Sequence, residues 1–190
     1  MKRSEINSLV RAAQTCFLTH GWTLPPAPKW DVTDFGLGRI RESGLVLINL
    51  CEEPEYCEKL MYARKGMLTP AHCHHQKKED IICRWGVLHL RFWASADTAA
   101  DKRPVAMKLD GVMTEFQAGE TLRLVAGSRI TITPHIYHEF VPASPECIIG
   151  EVSTANDDLN DNFFINPDIG RFPDIEEDEP PLVRLVSDRS

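Results

Sequence analysis

His72 and His74 stand one residue apart, and a carboxylate, Glu79, follows five residues after the second histidine. In an extended strand, alternate side chains leave the same face, so the two imidazoles project together and Cys73 points the other way. A turn through His75-Gln76-Lys77-Lys78 brings Glu79 back to that face. Imidazole nitrogens with a carboxylate oxygen form a ligand set for a divalent transition metal, and three such ligands leave the ion open on one side. Downstream, Gly127 to His138 reads as strand, turn and strand ending in a histidine, His138, that can serve as a fourth ligand. A closed structural zinc site would normally use thiolates, but Cys73 and Cys83 have no C-x-x-C partner pair. The spacing therefore points to a metal enzyme or a metal-dependent binder.

Two further groups bear on chemistry. Glu151 sits inside the apolar run Cys147-Ile148-Ile149-Gly150-Glu151-Val152. A carboxylate there is costly unless it is paired, hydrogen-bonded or protonated. It shares a strand face with Cys147 and Ile149, which aims it at the same interior as the metal ligands, where it can act as a general base. The polar run Asn156–Asn162 after that strand carries Asp161, placed to fold back toward a bound ligand.

These side chains must be held by sheet. Leu88, Leu90 and Phe92 alternate with His89, Arg91 and Trp93, and Ile130 and Ile132 alternate with Arg129, Thr131 and Thr133. Such period-two patterns between turn residues predict half-buried antiparallel strands. Further strands are expected over Leu45–Ile48, Cys57–Ala63 and Glu146–Thr154, with a hairpin over Lys108–Phe116 turning at Asp110-Gly111. Leu45–Ile48 is apolar throughout and is expected to be buried on both sides or to lie at a subunit contact. Asp97–Arg103 reads as a polar loop and Gly119-Glu120 as a turn. Near the start, Ile6, Leu9, Val10, Ala13, Phe17 and Leu18 recur at helical spacing, with Ser4 as the expected cap and Gly21 as the stop. A connector with three prolines follows, from Trp22 to Trp30. The organisation expected is an N-terminal helix and connector over residues 1–30, then one β domain over 31–190 whose acidic, proline-bearing tail wraps the surface or reaches over a partner subunit.

Composition narrows the function classes. The 190 residues suit one domain, and the net charge of −7 comes without a basic block or interleaved aromatics, against nucleic-acid binding. No apolar run approaches membrane-spanning length and the first residues lack a secretory apolar core, so a cytoplasmic location and no membrane partner are expected. Six cysteines without framework spacing read as small buried hydrophobes in a reducing compartment.

The two histidine-bearing stretches together resemble the two motifs of the cupin family. In the first motif, Gly66, His72, His74, Glu79 and Gly86 fill every fixed place. In the second, Gly127 and His138 keep the family's separation. Thr133 holds the proline place with Pro134 one residue late, His135 holds a glycine place, and Pro142 holds the asparagine place. The resemblance implies an all-β fold, a jelly-roll β-barrel.

Beyond the cupin level, the chain is similar to the cupin-type D-lyxose isomerases of bacteria. The likeness rests on His20-Gly21-Trp22 with Leu24-Pro25-Pro26, on Glu58-Lys59-Leu60, and on Thr69-Pro70-Ala71-His72-Cys73-His74 with Lys78-Glu79-Asp80-Ile81. Toward the end it rests on Gly150-Glu151-Val152-Ser153-Thr154-Ala155-Asn156-Asp157-Asp158 and Ile175-Glu176-Glu177-Asp178-Glu179-Pro180-Pro181-Leu182. The resemblance implies an aldose–ketose isomerase that uses a divalent metal, usually manganese, on a free sugar, with D-lyxose and D-xylulose as the pair. Metal-assisted proton transfer through an enediolate is the expected route. It further implies His72, His74, Glu79 and His138 as metal ligands, Glu151 and Lys59 as catalytic groups, with Lys59 also at the sugar, and a homodimer. Asp161, by its place in the polar run, is expected to fold back and orient a sugar hydroxyl. Residue type alone would leave Lys59 at the surface. Phe163-Phe164 stands where the family pattern often has an arginine. The same ligand set would also serve a cupin dioxygenase or a non-catalytic sugar-binding cupin.

Overall fold

The structure is a computed structural model describing residues 1–157, 160–170 and 174–188. The polar-run residue Asp158 lies outside the described residues. The chain opens with helix α1 (Arg3–Thr19) and continues into strands β1 (Lys29–Thr33), β2 (Leu45–Glu52), β3 (Tyr56–Arg64), β4 (Thr69–Cys73), β5 (Glu79–Trp85) and β6 (Val87–Trp93). Then follow β7 (Val105–Leu109), β8 (Val112–Phe116), β9 (Leu122–Val125), β10 (Arg129–Ile132), β11 (Tyr137–Pro142), β12 (Glu146–Thr154) and the short β13 (Phe163–Phe164).

The strands form two antiparallel sheets. The larger runs β1-β2-β3-β12-β5-β10-β7-β8 and the smaller β13-β4-β11-β6-β9. Packed as a jelly roll, they enclose a core that includes Leu88, Leu90, Phe92, Ile130 and Ile132, the residues the alternation assigned inward. Asp110 and Gly111 both take positive φ, as a two-residue hairpin turn between β7 and β8 requires. Gly86 also has positive φ (86°), and a Cβ there would run into Ser144 Oγ and the Glu146 carbonyl, so the tight β5–β6 link accepts only glycine. His135, at the cupin glycine place, adopts φ 68° despite its side chain.

One expectation changes. The helix cap is Lys2, whose backbone N–H donates to Glu5, whereas the Ser4 hydroxyl donates to Asp178 of the tail. The apolar β2 lies between β1 and β3, and its adjacent residues Leu45 and Val46, on opposite faces, are both buried, the first of the two expected settings. The tail wraps its own chain. Buried Arg3 donates to Glu177 and Asp188, Asn7 donates to Glu179 and the Pro180 carbonyl, and Leu185 bridges Trp30. Helix and tail thereby brace β1, the outermost strand of the wall on which the cavity residues Asp31 and Thr33 sit.

Candidate active site

A cavity of ≈ 270 Å³ lies between the sheets. The larger sheet contributes Lys59 from β3, Glu151 from β12 and Glu79 from the start of β5; the smaller contributes His72 from β4 and His138 from β11, with His74 just beyond β4. His138 is the direct cross-strand partner of His72, and Glu151 that of Lys59. Two local pairings thus bring together groups far apart in sequence.

His72, His74, Glu79 and His138 are all buried, and one ligating atom from each lies within 4.8 Å of the others. The imidazoles are oriented through their Nδ1 atoms. His72 Nδ1 lies 2.7 Å from the Pro70 carbonyl, His138 Nδ1 3.1 Å from the Ile136 carbonyl, and His74 Nδ1 contacts the Asp161 carbonyl. An Nδ1–H donated to a carbonyl leaves Nε2 as a lone pair facing the centre, the arrangement of metal-ligating histidines. His74 Nε2, His138 Nε2 and Glu79 Oε1 are buried without a well-directed hydrogen-bond partner, although His138 Nε2 and Glu79 Oε1 approach to 2.9 Å. Buried polar atoms are rarely left so, and one divalent cation would satisfy all three. Burial pushes the His72 imidazole well below its usual range, helped by His138 and His74, and burial also lowers His74. Neutral imidazole is the form that binds metal. Burial works against the Glu79 carboxylate, but Lys77 and the histidines outweigh it and hold the group well below the usual carboxylate range.

Beside this cluster, Lys77 Nζ lies 3.0 Å from Glu151 Oε1 and 2.9 Å from Glu79 Oε2, and Lys59 Nζ lies 3.5 Å from Glu151 Oε1 and 2.9 Å from Asn156 Oδ1. The buried Glu151 carboxylate is thus compensated by two ammonium groups. Sequence reasoning missed Lys77, which reads as an ordinary turn residue between Gln76 and Lys78. Glu151 and Glu79 overcome its desolvation and push its ammonium above the ordinary lysine value. The only available hint was its place two residues before a ligand.

Asp161 is found in a role other than the expected sugar contact. It does not line the cavity; its carboxylate accepts the backbone N–H groups of His75, Gln76 and Lys77 at 2.7–3.2 Å. Its burial is offset by those donors, which hold the carboxyl below its usual value. Asp161 therefore fixes the turn that carries Lys77, while its own carbonyl orients His74. Phe164 pairs in register with His72 and its ring covers that imidazole at 5.2 Å, while Phe163 stacks on His75 at 3.9 Å. His75 and His135 are exposed and outside the ligand group.

Comparisons with known proteins place the chain in a family. The sequence profile of the D-lyxose isomerase family matches residues 27–189. A D-lyxose/D-mannose isomerase of Serratia proteamaculans is 36% identical, over 95% of this chain and 94% of that protein. Another of that name from Escherichia coli O157:H7 is 32% identical, over 99% and 98%. Among solved structures, the ligand-free L-ribose isomerase of Cellulomonas parahominis superposes with TM-score 0.65 at 19% identity, over 88% of this chain and 93% of that one, a likeness of fold. The L-ribose isomerase of Acinetobacter sp. DL28 gives 0.65 at 16%, over 89% and 94%. From profile and relatives alike, the chain belongs to the D-lyxose isomerase family of sugar isomerases.

Proposed function

We propose that the protein is a metal-dependent isomerase of free aldoses that converts D-lyxose to D-xylulose by proton transfer. The observation that carries this reading is the joining of the four-ligand cluster to Glu151, Lys59 and Lys77 in one cavity. A divalent metal held by His72, His74, Glu79 and His138 would supply Lewis-acid polarisation of the sugar's carbonyl and neighbouring hydroxyl oxygens. Three nitrogens and one carboxylate oxygen facing an oxygen-rich substrate suit manganese.

Glu151 takes the proton from C2 of the open-chain aldose, giving an enediolate, and returns it to C1. The O2 proton passes to O1 in the same conversion. Lys59 and Lys77 donate hydrogen bonds to the oxygens where negative charge develops. Asp161 acts on substrate only through the turn that it holds. Phe164 covers His72 and keeps water from the reacting face. Among the described residues, the two cavity lysines both engage Glu151, which leaves no uncommitted cation among them for a phosphate and favours a free sugar.

A second substrate, D-mannose, is favoured by the names of two relatives. D-mannose repeats the D-lyxose configuration at C2 to C4 with one more carbon. A cytoplasmic setting is supported by six free cysteines. For a homodimer, the exposed Val112 and Met113 on the sheet-edge strand β8 are a suitable contact, which light scattering would test.

The deciding experiment incubates manganese-loaded protein with D-lyxose in D2O. D-Xylulose carrying deuterium at C1 is expected. Absence of ketose from D-lyxose and D-mannose alike overturns the reading, and ketose without deuterium replaces proton transfer by a hydride shift.

A further inference from the structure

Thr69 is a buried residue of the cavity wall, 4% exposed, and its hydroxyl has no hydrogen-bond partner. Its backbone position explains why it faces inward. Along β11, His138 and Phe140 are two residues apart and share a face, and their partners on β4 are His72 and Thr69, three residues apart. The extra residue is a bulge, which re-aims a side chain that strict alternation would have turned away. Valine has the same branched shape, suits a strand equally well and would leave no orphan. A threonine here therefore keeps a hydroxyl in reserve for something that enters the cavity.

Among the described residues, the other cavity-lining orphan outside the ligand cluster is Asn162 Oδ1. Continuing the pairing of Phe163 with Cys73 and Phe164 with His72 places Asn162 opposite His74. The two orphans thus flank the metal ligands along β4, Asn162 on one side and Thr69 on the other. At about 3.3 Å per strand residue, Thr69 stands on the order of 10 Å from His72. With C–C bonds of about 1.5 Å, an extended open-chain pentose spans about 5 Å between its end carbons and about 7 Å between its end oxygens, and a hydrogen bond of about 3 Å completes that reach.

Resting on the isomerase reading, we propose that Thr69 is a specificity-determining residue that hydrogen-bonds the terminal, non-reacting hydroxyl of the sugar. A substrate with a hydroxyl at that end satisfies the buried Thr69 group, and one without it leaves the group unpaired. The contact accounts for recognition of a neutral polyol end, because Thr69 brings no charge and its cross-strand neighbour is Phe140.

The test compares D-lyxose with 5-deoxy-D-lyxose on wild type, Thr69→Val and Thr69→Ser, all manganese-loaded and checked for metal content. Wild type is expected to lose about tenfold in kcat/KM on the deoxy sugar. Thr69→Val is expected to show a similar loss on D-lyxose and none further on the deoxy sugar, with metal content unchanged, and Thr69→Ser to recover discrimination. Equal treatment of the two sugars by wild type, or a Thr69→Val loss that is absent or the same on both, overturns the proposal and leaves the isomerase reading intact. No turnover of any aldose by wild type overturns both.

Discussion

Glu151 and Lys59 are direct cross-strand partners, on β12 and β3, and their charged ends meet at 3.5 Å inside the cavity. Neighbouring strands lie about 4.8 Å apart, so a directly opposed pair is fixed in relative position by the ladder itself. The carboxylate proposed as the base and one ammonium group therefore form a rigid unit. Replacing Glu151 by Gln keeps the shape and removes the proton acceptor. Turnover should fall by about 10²–10⁴, while manganese content by elemental analysis stays at the wild-type level. Retained turnover would remove Glu151 from the base role.

His74→Ala deletes one of the four converging ligand atoms. Loss of bound manganese and of activity together is the expected result, read by elemental analysis and ketose assay. A variant that still holds one equivalent of metal would show that the cluster is not the metal site.

Lys77 lies between two buried carboxylates, Glu79 and Glu151. In Lys77→Met, Glu79 loses its ammonium partner and Glu151 keeps only Lys59. Breaking such a buried pair costs about 3–5 kcal/mol. The metal-free variant should unfold at markedly lower denaturant than metal-free wild type, and added manganese should restore part of the difference by balancing Glu79. Equal stability of the two metal-free proteins would contradict this account.

His135 holds a left-handed backbone without being glycine, and its side chain is exposed. A non-glycine residue pays roughly 1–2 kcal/mol there, partly offset by the larger chain entropy that glycine loses on folding. His135→Gly should therefore raise stability by about 0.5–1 kcal/mol in a denaturant titration and leave kcat/KM unchanged. A loss of activity would give His135 a part in the site.

The tail should respond to acid. The hydrogen bond from Arg3 holds Glu177 below its usual value, and bonds from Ser4 do the same for Asp178. A carboxyl whose folded pKa is depressed contributes stability above its ordinary value and loses it as pH falls through the folded value. The tail is expected to stay docked through neutral and mildly acidic pH and to loosen below the ordinary carboxylate range. An NMR titration of the two carboxyl carbons checks this. Midpoints at ordinary values, or no change in Arg3→Ala, would refute the tether.

What the sequence determined by itself was whatever depends on local spacing. The His-x-His pair with Glu79, the alternation at Leu88–Phe92, the Asp110-Gly111 turn and the Glu146–Thr154 strand all follow from strand period or turn chemistry within a few residues. Those rules need no partner. Tertiary structure decided the rest, because it turns on which distant strands become neighbours. Insertion of β12 between β3 and β5 is what buries Lys77 against Glu151, seventy-odd residues away. The bulge between β4 and β11 aims Thr69 inward, and the fold-back at Asp161 spends that carboxylate on the His75–Lys77 turn. Partners are settled only when long-range contacts form, so residue type and spacing could mark Glu151 as needing a partner but could not name Lys77.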